Sequence, residues 1–175
     1  MEEKELYIHA HLIEECKLGN SDAQFRLYNQ YSKAMFNLAL RMTNNREDAE
    51  DILQESFVEC FRNLGSFRFE STFGAWLKSI VINRSINHLR RRKADLVLYE
   101  NLPDIINIDE PEPEYNTDRI FRGIEMLADG YRVILTLYLL EGYDHSEIAQ
   151  ILSISESTSK SQYSRAKEKL RKLIS

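Results

Sequence analysis

Cysteine is scarce in this 175-residue chain, which has only Cys16 and Cys60. No C-x-x-C motif and no paired histidine spacing accompanies them, so neither a structural disulfide nor a zinc site is expected. Long apolar runs are missing too, and the N-terminus reads Met-Glu-Glu-Lys-Glu, which predicts neither a signal peptide nor a membrane anchor. These absences favour a protein of the reducing cytoplasm with no metal, no cofactor and no membrane insertion.

Proline is nearly as rare, and all three prolines fall in one acidic segment. Residues 95–118 hold eight Asp or Glu and no Lys or Arg, so the rest of the chain has 28 minus 8, or 20, acids against 23 bases. The net charge of -5 is therefore local, and both flanking parts can present basic surfaces. Pro103, Pro111 and Pro113, without helical periodicity around them, predict a flexible acidic linker.

The flanking parts show helical periodicity throughout. A helix is predicted over residues 6–18, and the next is expected to open on a capping box of Ser21 and Gln24 and to bury Phe25. Beyond the linker, one helix is predicted to end near Gly130, and residues 131–141 are predicted to form an apolar helix. The sequence thus predicts an all-α protein with two helical domains and a linker. Their expected bounds are residues 1–95, 96–118 for the linker, and 119–175.

Short polar residues in the last third of the chain predict two helices that meet at a corner. Gly142 can adopt the left-handed conformation that ends one helix, and Asp144 with Glu147 is a capping-box pattern for the next. Residues 153–155 interrupt that helix, and Ser155 is a suitable N-cap for a longer one. This pattern is typical of a helix-turn-helix.

The longer helix has two contrasting faces. Its predicted inward face holds Tyr163, Ala166, Leu170 and Leu173. Short hydroxyls and long charged side chains point away: Ser157, Lys160, Ser161, Ser164, Arg165 and Glu168. Such a mixture can enter a DNA major groove and reach base edges and phosphates, although a solvated face of an ordinary helical domain is the alternative.

A helix that follows the N-cap residue Asn45 has an acidic outward face. That face carries Glu47, Asp51, Gln54, Glu55, Val58 and Glu59, and Arg62 is the only cation after the first helical turn. A plain solvated helix more often mixes in lysines at i, i+4. The pattern is compatible with a basic protein partner.

Residues 67–76 are dense in aromatic side chains. Such side chains can stack unpaired bases, each stack contributing about 1 to 3 kcal/mol. For Phe67, Phe73 and Trp76 the favoured interpretation is that they pin the loop to the core. The candidate contact residues are Arg68, Phe69, Glu70, Ser71 and Thr72.

The next predicted helix, over residues 74–93, repeats Asn83, Asn87 and Arg90 on one face and ends in four cations. Asparagine can read base edges, and cations can bind phosphates. Cations near a helix C-terminus also complement the helix dipole, so they decide little alone.

Three of these segments together resemble the extracytoplasmic-function sigma factors, small initiation subunits of bacterial RNA polymerase. Residues 48–57, which read Asp-Ala-Glu-Asp-Ile-Leu-Gln-Glu-Ser-Phe, resemble the polymerase-binding helix of that family. Residues 67–93 resemble its module for melting and reading the minus-ten element, and residues 147–166 resemble its reader of the minus-thirty-five element. The resemblance covers about residues 17–95 and 119–173.

The resemblance implies a sigma factor that binds core RNA polymerase, directs it to specific promoters and helps to open the DNA. It implies polymerase contacts by Asp48, Asp51, Gln54, Glu55 and Val58. It implies minus-ten contacts by Arg68, Phe69, Glu70, Ser71, Thr72, Asn83, Asn87 and Arg90, and minus-thirty-five contacts by Ser157, Lys160, Ser161, Ser164 and Arg165. Further implied partners are promoter DNA, as duplex and as melted single strand, and an anti-sigma factor.

The chain departs from the family pattern mainly at the helix-turn-helix. Ser153 stands where most members have a glycine in the corner, and Ser159 stands where a valine is frequent. A serine that faces the core there gives up packing, at a cost on the order of 1 kcal/mol or more. Gln162 replaces a common arginine, and Asn87 replaces a frequent acidic residue. These departures predict an unusual upstream recognition sequence.

Two other classes of function are alternatives to a sigma factor. The first is a one-component helix-turn-helix regulator that binds a palindromic duplex as a dimer. The second is a hydrolase or transferase, but the sequence contains no nucleophile elbow, P-loop or metal-spaced cluster, so no enzyme is expected. The charge balance further predicts that the free protein binds promoter DNA poorly, because few basic residues are available to release counterions from phosphate.

Overall fold

The computed structural model describes residues 9–92 and 117–174. These two ranges contain helices and turns and no β-strand, which confirms the all-α fold. The chain divides into two compact units, with the division between His88 and Leu89. Residues 6–8 of the first predicted helix and residues 93–116, which include most of the predicted linker, lie outside the described ranges. Within those ranges, no helix has both the length and the apolar character required to cross a bilayer.

The first described range, residues 9–92, forms four α-helices and one short 3-10 turn. They are α1 (Ala10–Lys17), α2 (Ser21–Thr43), α3 (Arg46–Asn63), the 3-10 turn (Leu64–Ser66) and α4 (Phe73–Arg92). Helices α2 and α3 share an extensive contact, and α1 packs on α2 and on the 3-10 turn.

The starts of α2 and α3 are fixed by asparagine caps. Asn45 caps α3 as predicted, since its Oδ1 accepts from the Asp48 backbone N–H at 3.0 Å. The predicted capping box of Ser21 and Gln24 is wrong. Asn20 is the N-cap of α2, and its Oδ1 accepts from the backbone N–H groups of Asp22 and Ala23 at 3.0 and 3.2 Å. An asparagine in this position satisfies two otherwise unpaired donors.

The core of this unit confirms most of the expected apolar positions and contradicts one. Leu27, Leu38 and Met42 of α2 are at most 1% exposed, whereas Phe25 is 65% exposed. Phe25 lies two residues from Leu27, and two residues on a helix turn the side chain by about 200°. The face that buries Leu27 therefore directs Phe25 away from the core.

The second described range forms α5 (Thr117–Glu125), α6 (Asp129–Leu135), a π-helical segment (Thr136–Leu140), α7 (His145–Leu152) and α8 (Glu156–Ile174). The helix predicted to end near Gly130 ends instead at Glu125. Arg132, only 3% exposed, holds the turn that follows, because its Nη1 donates to the Leu127 carbonyl at 2.7 Å and its Nη2 contacts Asp129. A buried arginine that binds a backbone carbonyl fixes a turn that apolar periodicity alone does not reveal.

The apolar helix predicted over residues 131–141 changes its hydrogen bonding midway. From Thr136 it continues as a π-helical segment, in which the Glu141 N–H donates to the Thr136 carbonyl at 3.0 Å. One extra residue per turn displaces every later side chain around the helix axis, and such segments are frequent at functional sites.

The C-terminal core joins α5, α6 and α8. Its buried cluster consists of Ile124, Leu127, Tyr131, Leu135, Ala166, Leu170 and Ile174. Gly123 lets α5 approach α8 closely, because a Cβ built there would lie 2.6 Å from both Leu170 Cδ1 and Ile174 Cγ2. This packing holds α8 in place, and α7 packs against it.

Candidate functional site

The predicted acidic face lies on the exposed side of α3. Asp51, Gln54 and Glu55 are exposed, and Val58, an apolar residue among them, is 56% exposed. The opposite side of the helix is buried through Ala49, Ile52, Leu53, Ser56, Phe57 and Cys60. The face therefore has the exposure that a binding surface needs, and its role stays a prediction.

Asp48 is set apart from the other predicted polymerase contacts. Its side chain is 21% exposed, and Oδ1 lies 3.2 Å from Nε2 of His88 on α4. Asp48 also occupies the first turn of α3, where its charge suits the helix dipole. The structure thus gives the Asp48 carboxylate a partner within the protein, whereas Asp51 and Gln54 face outward.

Arg84 of α4 reaches the acidic face, which the sequence did not predict. Its Nη1 donates to Glu55 Oε2 and its Nε donates to Glu59 Oε2, both at 2.6 Å. Hydrogen bonding to Glu59, with a further contribution from Glu55, raises the pKa of Arg84 above its ordinary value. No local motif signals this pairing, because 29 and 25 residues separate Arg84 from its two partners.

The loop between the 3-10 turn and α4, residues 67–72, is held by aromatic packing. Phe67 is 5% exposed, and its ring centroid lies 5.1 Å from that of Trp76 and 5.8 Å from that of Phe73. This confirms that these three aromatic residues anchor the loop. Phe69 also packs on Phe67, with centroids 4.8 Å apart, and is half-buried.

Phe69 has an unusual backbone conformation, with a φ of 58°. A large non-glycine residue in the left-handed region is strained, and its neighbours must hold it there. Arg68, Glu70 and Ser71 stand exposed on either side of it. The loop thus combines a fixed aromatic residue with three accessible polar side chains.

Thr72 has a structural role that the sequence reading did not include. Its Oγ1 accepts from the Ala75 backbone N–H at 3.1 Å, the geometry of a helix N-cap. Farther along α4, Asn83, Asn87 and Arg90 are all exposed and follow one another at i, i+4 and i+7. The predicted polar face of α4 is therefore accessible over about two helical turns, or roughly 10 Å.

The helix-turn-helix has the geometry predicted from its polar residues. Asp144 and Glu147 form a reciprocal capping box at the start of α7, and Gly142 has a φ of 78°. Ser155 Oγ accepts from the Thr158 backbone N–H at 3.0 Å and so caps α8. Ser153, at the corner, has a φ of 57°, the left-handed conformation that glycine adopts most readily.

The outward face of α8 is as predicted. All five proposed DNA-contact residues are exposed: Ser157, Lys160, Ser161, Ser164 and Arg165. Among them, Lys160 Nζ pairs with Glu156 Oε1 at 2.6 Å, and Ser161 Oγ donates to the Thr158 carbonyl at 3.0 Å. These contacts lie within the first two turns of the helix.

Leu173 was expected to be buried on α8 but is 40% exposed, whereas Gln162 is 2% exposed. The buried positions are Ser159, Gln162, Ala166, Leu170 and Ile174. This face follows i+4 steps at its C-terminal end, so Ile174 takes the place assigned to Leu173. Apolar periodicity did not predict this face, because one of its buried residues, Gln162, is polar.

Ser159 faces the core, as expected, and the structure supplies it with a partner. Its Oγ lies 2.9 Å from Nδ1 of His145, the first residue of α7. The His145 ring stacks on the Tyr138 ring with centroids 4.7 Å apart, and the Tyr138 and Tyr163 ring centroids lie 4.4 Å apart. A polar contact thus replaces part of the packing that a valine would give, and it ties α7 to α8.

Comparison with known proteins identifies two family matches in order along the chain. A family model described as Sigma-70 region 2 matches residues 27–94, and one described as Sigma-70, region 4 matches residues 117–170. The ECF RNA polymerase sigma-E factor of Haemophilus influenzae is 30% identical over 177 residues, which cover 93% of each chain. The ECF RNA polymerase sigma factor SigW of Bacillus subtilis is 29% identical over 176 residues, which cover 93% of this chain and 94% of SigW.

A solved structure gives independent support for the fold. It is the sigma factor RpoE from Bartonella quintana in complex with the anti-sigma factor NepR. The similarity has a TM-score of 0.57 at 22% identity and covers 85% of this chain and 94% of that one.

Proposed function

The chain belongs to the extracytoplasmic-function sigma factors, and on that premise we propose how its surfaces divide the work of promoter recognition. As a member of this family it binds core RNA polymerase and directs it to promoters. The observation that carries the assignment is the order of the two matches, each of which falls mainly on one helical unit.

The acidic face of α3 is the proposed docking surface for core polymerase. Asp51, Gln54 and Val58 are its centre, because they are exposed. Glu55 is proposed as a contact that shares its carboxylate with Arg84, and Asp48 as one at the margin of the surface. An apolar residue ringed by acidic and amide groups suits a basic partner surface with an apolar pocket.

The loop at residues 67–72 and the polar face of α4 are the proposed minus-ten site. Removing a base from the duplex stack costs a few kcal/mol, so a pocket that holds the extruded base can keep the DNA open without ATP. Arg68, Phe69, Glu70, Ser71 and Thr72 would form that pocket. Asn83, Asn87 and Arg90 would contact the rest of the same element.

The exposed face of α8 is the proposed reader of the minus-thirty-five element as duplex. Hydroxyls of Ser157, Ser161 and Ser164 can reach base edges, while Lys160 and Arg165 can bind phosphate or guanine. The carboxylate of Glu156 beside Lys160 lowers the net positive charge at the start of this helix. That local balance agrees with weak DNA binding by the free chain.

Other aspects of function follow from membership. Sigma factors are transcription initiation factors, so we propose that the chain has no catalytic activity of its own and acts where the polymerase acts, in the cytoplasm. An anti-sigma factor is a proposed partner, as the RpoE complex illustrates for a related fold. The dimeric regulator is not favoured, because residues 27–94 match Sigma-70 region 2.

Reconstituted transcription tests the proposal. The full chain is added to bacterial core polymerase with a library of genomic fragments, and transcript start sites are sequenced. Specific starts that share two upstream elements are expected, while the free chain should give only weak, salt-sensitive gel shifts. Random starts, or tight salt-resistant binding of a palindrome without polymerase, would contradict it.

Paired variants then test the separate surfaces. Asp51→Ala with Val58→Ala should weaken binding to core polymerase, whereas Asp22→Asn, which removes an exposed charge from α2, should not. Arg165→Ala should reduce initiation from promoters that depend on the minus-thirty-five element more than Arg171→Ala does. If the α3 variant and Asp22→Asn bind core polymerase equally well, the proposed polymerase surface is wrong. If Arg165→Ala and Arg171→Ala reduce initiation equally, the proposed minus-thirty-five role of Arg165 is wrong.

A further inference from the structure

We infer that Lys17 is a positioning residue that fixes the minus-ten loop in the conformation that captures an unpaired base. This inference rests on the proposed function of residues 67–72. Lys17 is the last residue of α1, far from the loop in sequence, and belongs to none of the segments that suggested DNA contacts.

The Lys17 ammonium has three partners: a carboxylate, a backbone carbonyl and an aromatic ring. Its Nζ donates to Glu14 Oε1 at 2.8 Å and to the Phe67 carbonyl at 3.2 Å, and it lies 5.2 Å from the centroid of the Phe69 ring. Two of the three ammonium donors are therefore used in hydrogen bonds, and the Phe69 ring attracts the same charge. Its side chain is 20% exposed, and two of its contacts fall on the loop.

These contacts fall on both sides of Arg68. The carbonyl that Lys17 binds belongs to Phe67, and the ring that it faces belongs to Phe69, the residue in the left-handed conformation. A strained residue keeps its conformation only where its surroundings hold it. The ammonium thus fixes the backbone before Arg68 and the ring after it, and so determines where Arg68 projects.

The surroundings explain why a charged group suits this position. Glu14 pairs with the ammonium, and the loop presents a backbone carbonyl and an aromatic ring to it, both of which attract a cation. A neutral side chain of equal length would fill the space but would leave the Phe67 carbonyl and the Phe69 ring without that attraction. The effect on function is therefore expected through loop geometry, not through contact with DNA.

Open-complex formation by holoenzyme tests the inference. Lys17→Met keeps most of the side-chain volume, Lys17→Arg keeps the charge, and Lys33→Met removes an exposed lysine from α2. Open complexes are measured by permanganate reactivity on a promoter found by start-site mapping, beside Arg68→Ala and Ser71→Ala as benchmarks. Lys17→Met loses a charge-assisted hydrogen bond to the loop. The amount of open complex is therefore expected to fall about five- to tenfold in this variant.

The expected pattern has further parts. Lys17→Arg should restore part of the activity, Lys33→Met should stay within about twofold of wild type, and affinity for core polymerase should be unchanged in all three. Lys17→Met should also weaken the base preference at one minus-ten position, measured with randomised promoters. A purely structural role would lower activity without changing base preference.

Three results would overturn the inference. If Lys17→Met behaves like Lys33→Met while Arg68→Ala and Ser71→Ala are defective, the loop site stands and Lys17 does not position it. If the Lys17→Met defect vanishes well below the melting temperature of the variant, Lys17 only stabilises the fold. If Arg68→Ala and Ser71→Ala are as active as wild type, the proposed minus-ten site fails and the inference fails with it.

Discussion

Arg84 on α4 bridges Glu55 and Glu59, two carboxylates one helical turn apart on α3, with both contacts at 2.6 Å. Glu55 belongs to the proposed polymerase surface, and Arg84 follows Asn83, a proposed minus-ten contact, directly in sequence. The bridge therefore joins the helix that would dock on polymerase to the helix that would read DNA. It ties α3 to α4 at Arg84, within the N-terminal unit.

Replacing Arg84 with Gln is expected to lower the free energy of unfolding of the N-terminal unit by roughly 1 kcal/mol, and less at high salt. The three side chains are partly exposed, which limits the effect. Urea unfolding at low and high salt measures it. Arg46→Gln, which breaks the exposed pair with Glu50, is the control and should change stability by less than about 0.5 kcal/mol. Equal losses in the two variants would show that the bridge is an ordinary surface pair.

Replacing Ser153 with Gly is expected to stabilise the C-terminal unit by roughly 1 kcal/mol, because glycine adopts the left-handed conformation without the Cβ clash. Thermal unfolding of the full chain, followed by a probe in the C-terminal unit, measures the change. Ser155→Gly is the matched change two residues away. It removes the cap on Thr158 and should not stabilise the unit.

The contact between His145 and Ser159 is expected to be energetically coupled. Ser159→Ala should cost about 1 kcal/mol in the wild-type background, and less once His145 has been replaced by Phe, because the hydroxyl then has lost its imidazole partner. A double-mutant cycle in urea measures the coupling. Strict additivity of the two changes would mean that the contact contributes nothing to the link between α7 and α8.

Cys60 is expected to make stability depend on alkaline pH. Burial is the main cause that raises the pKa of Cys60 from 9.0 to about 12, so the thiol ionises more easily in the unfolded chain. The neutral thiol therefore makes its full contribution to the free energy of unfolding below pH 9. That contribution is lost as pH rises from 9 toward 12, with a limiting slope of about 1.4 kcal/mol per pH unit.

Urea unfolding of wild type and Cys60→Ala, under reducing conditions, measures this contribution. The free energy of unfolding of the wild type should exceed that of Cys60→Ala by a smaller amount as pH rises above 9. Leu53→Ala, a truncation that removes no titratable group, is the control, and its difference from wild type should not follow the same course. A constant difference for Cys60→Ala would show that the thiol ionises equally in both states.

The sequence by itself indicated the helices, the caps at Asn45, Asp144 and Ser155, and the outward faces of α3 and α8. Each depends on residues within one or two turns of one another, so local spacing carries the information. The family resemblance rested on the same short segments. The phase of α8 was missed in part, because a polar residue, Gln162, is buried where an apolar one was expected.

Tertiary structure alone decided the contacts between distant segments. The contacts of Arg84 with its two glutamates and of Lys17 with the loop at residues 67–72 both depend on how helices pack. From sequence alone, a charged side chain on the polar face of a helix is predicted to be solvated. Only the packed structure shows whether a neighbouring helix brings a partner within hydrogen-bonding distance. Periodicity records which way a side chain points, whereas only packing determines what it meets there.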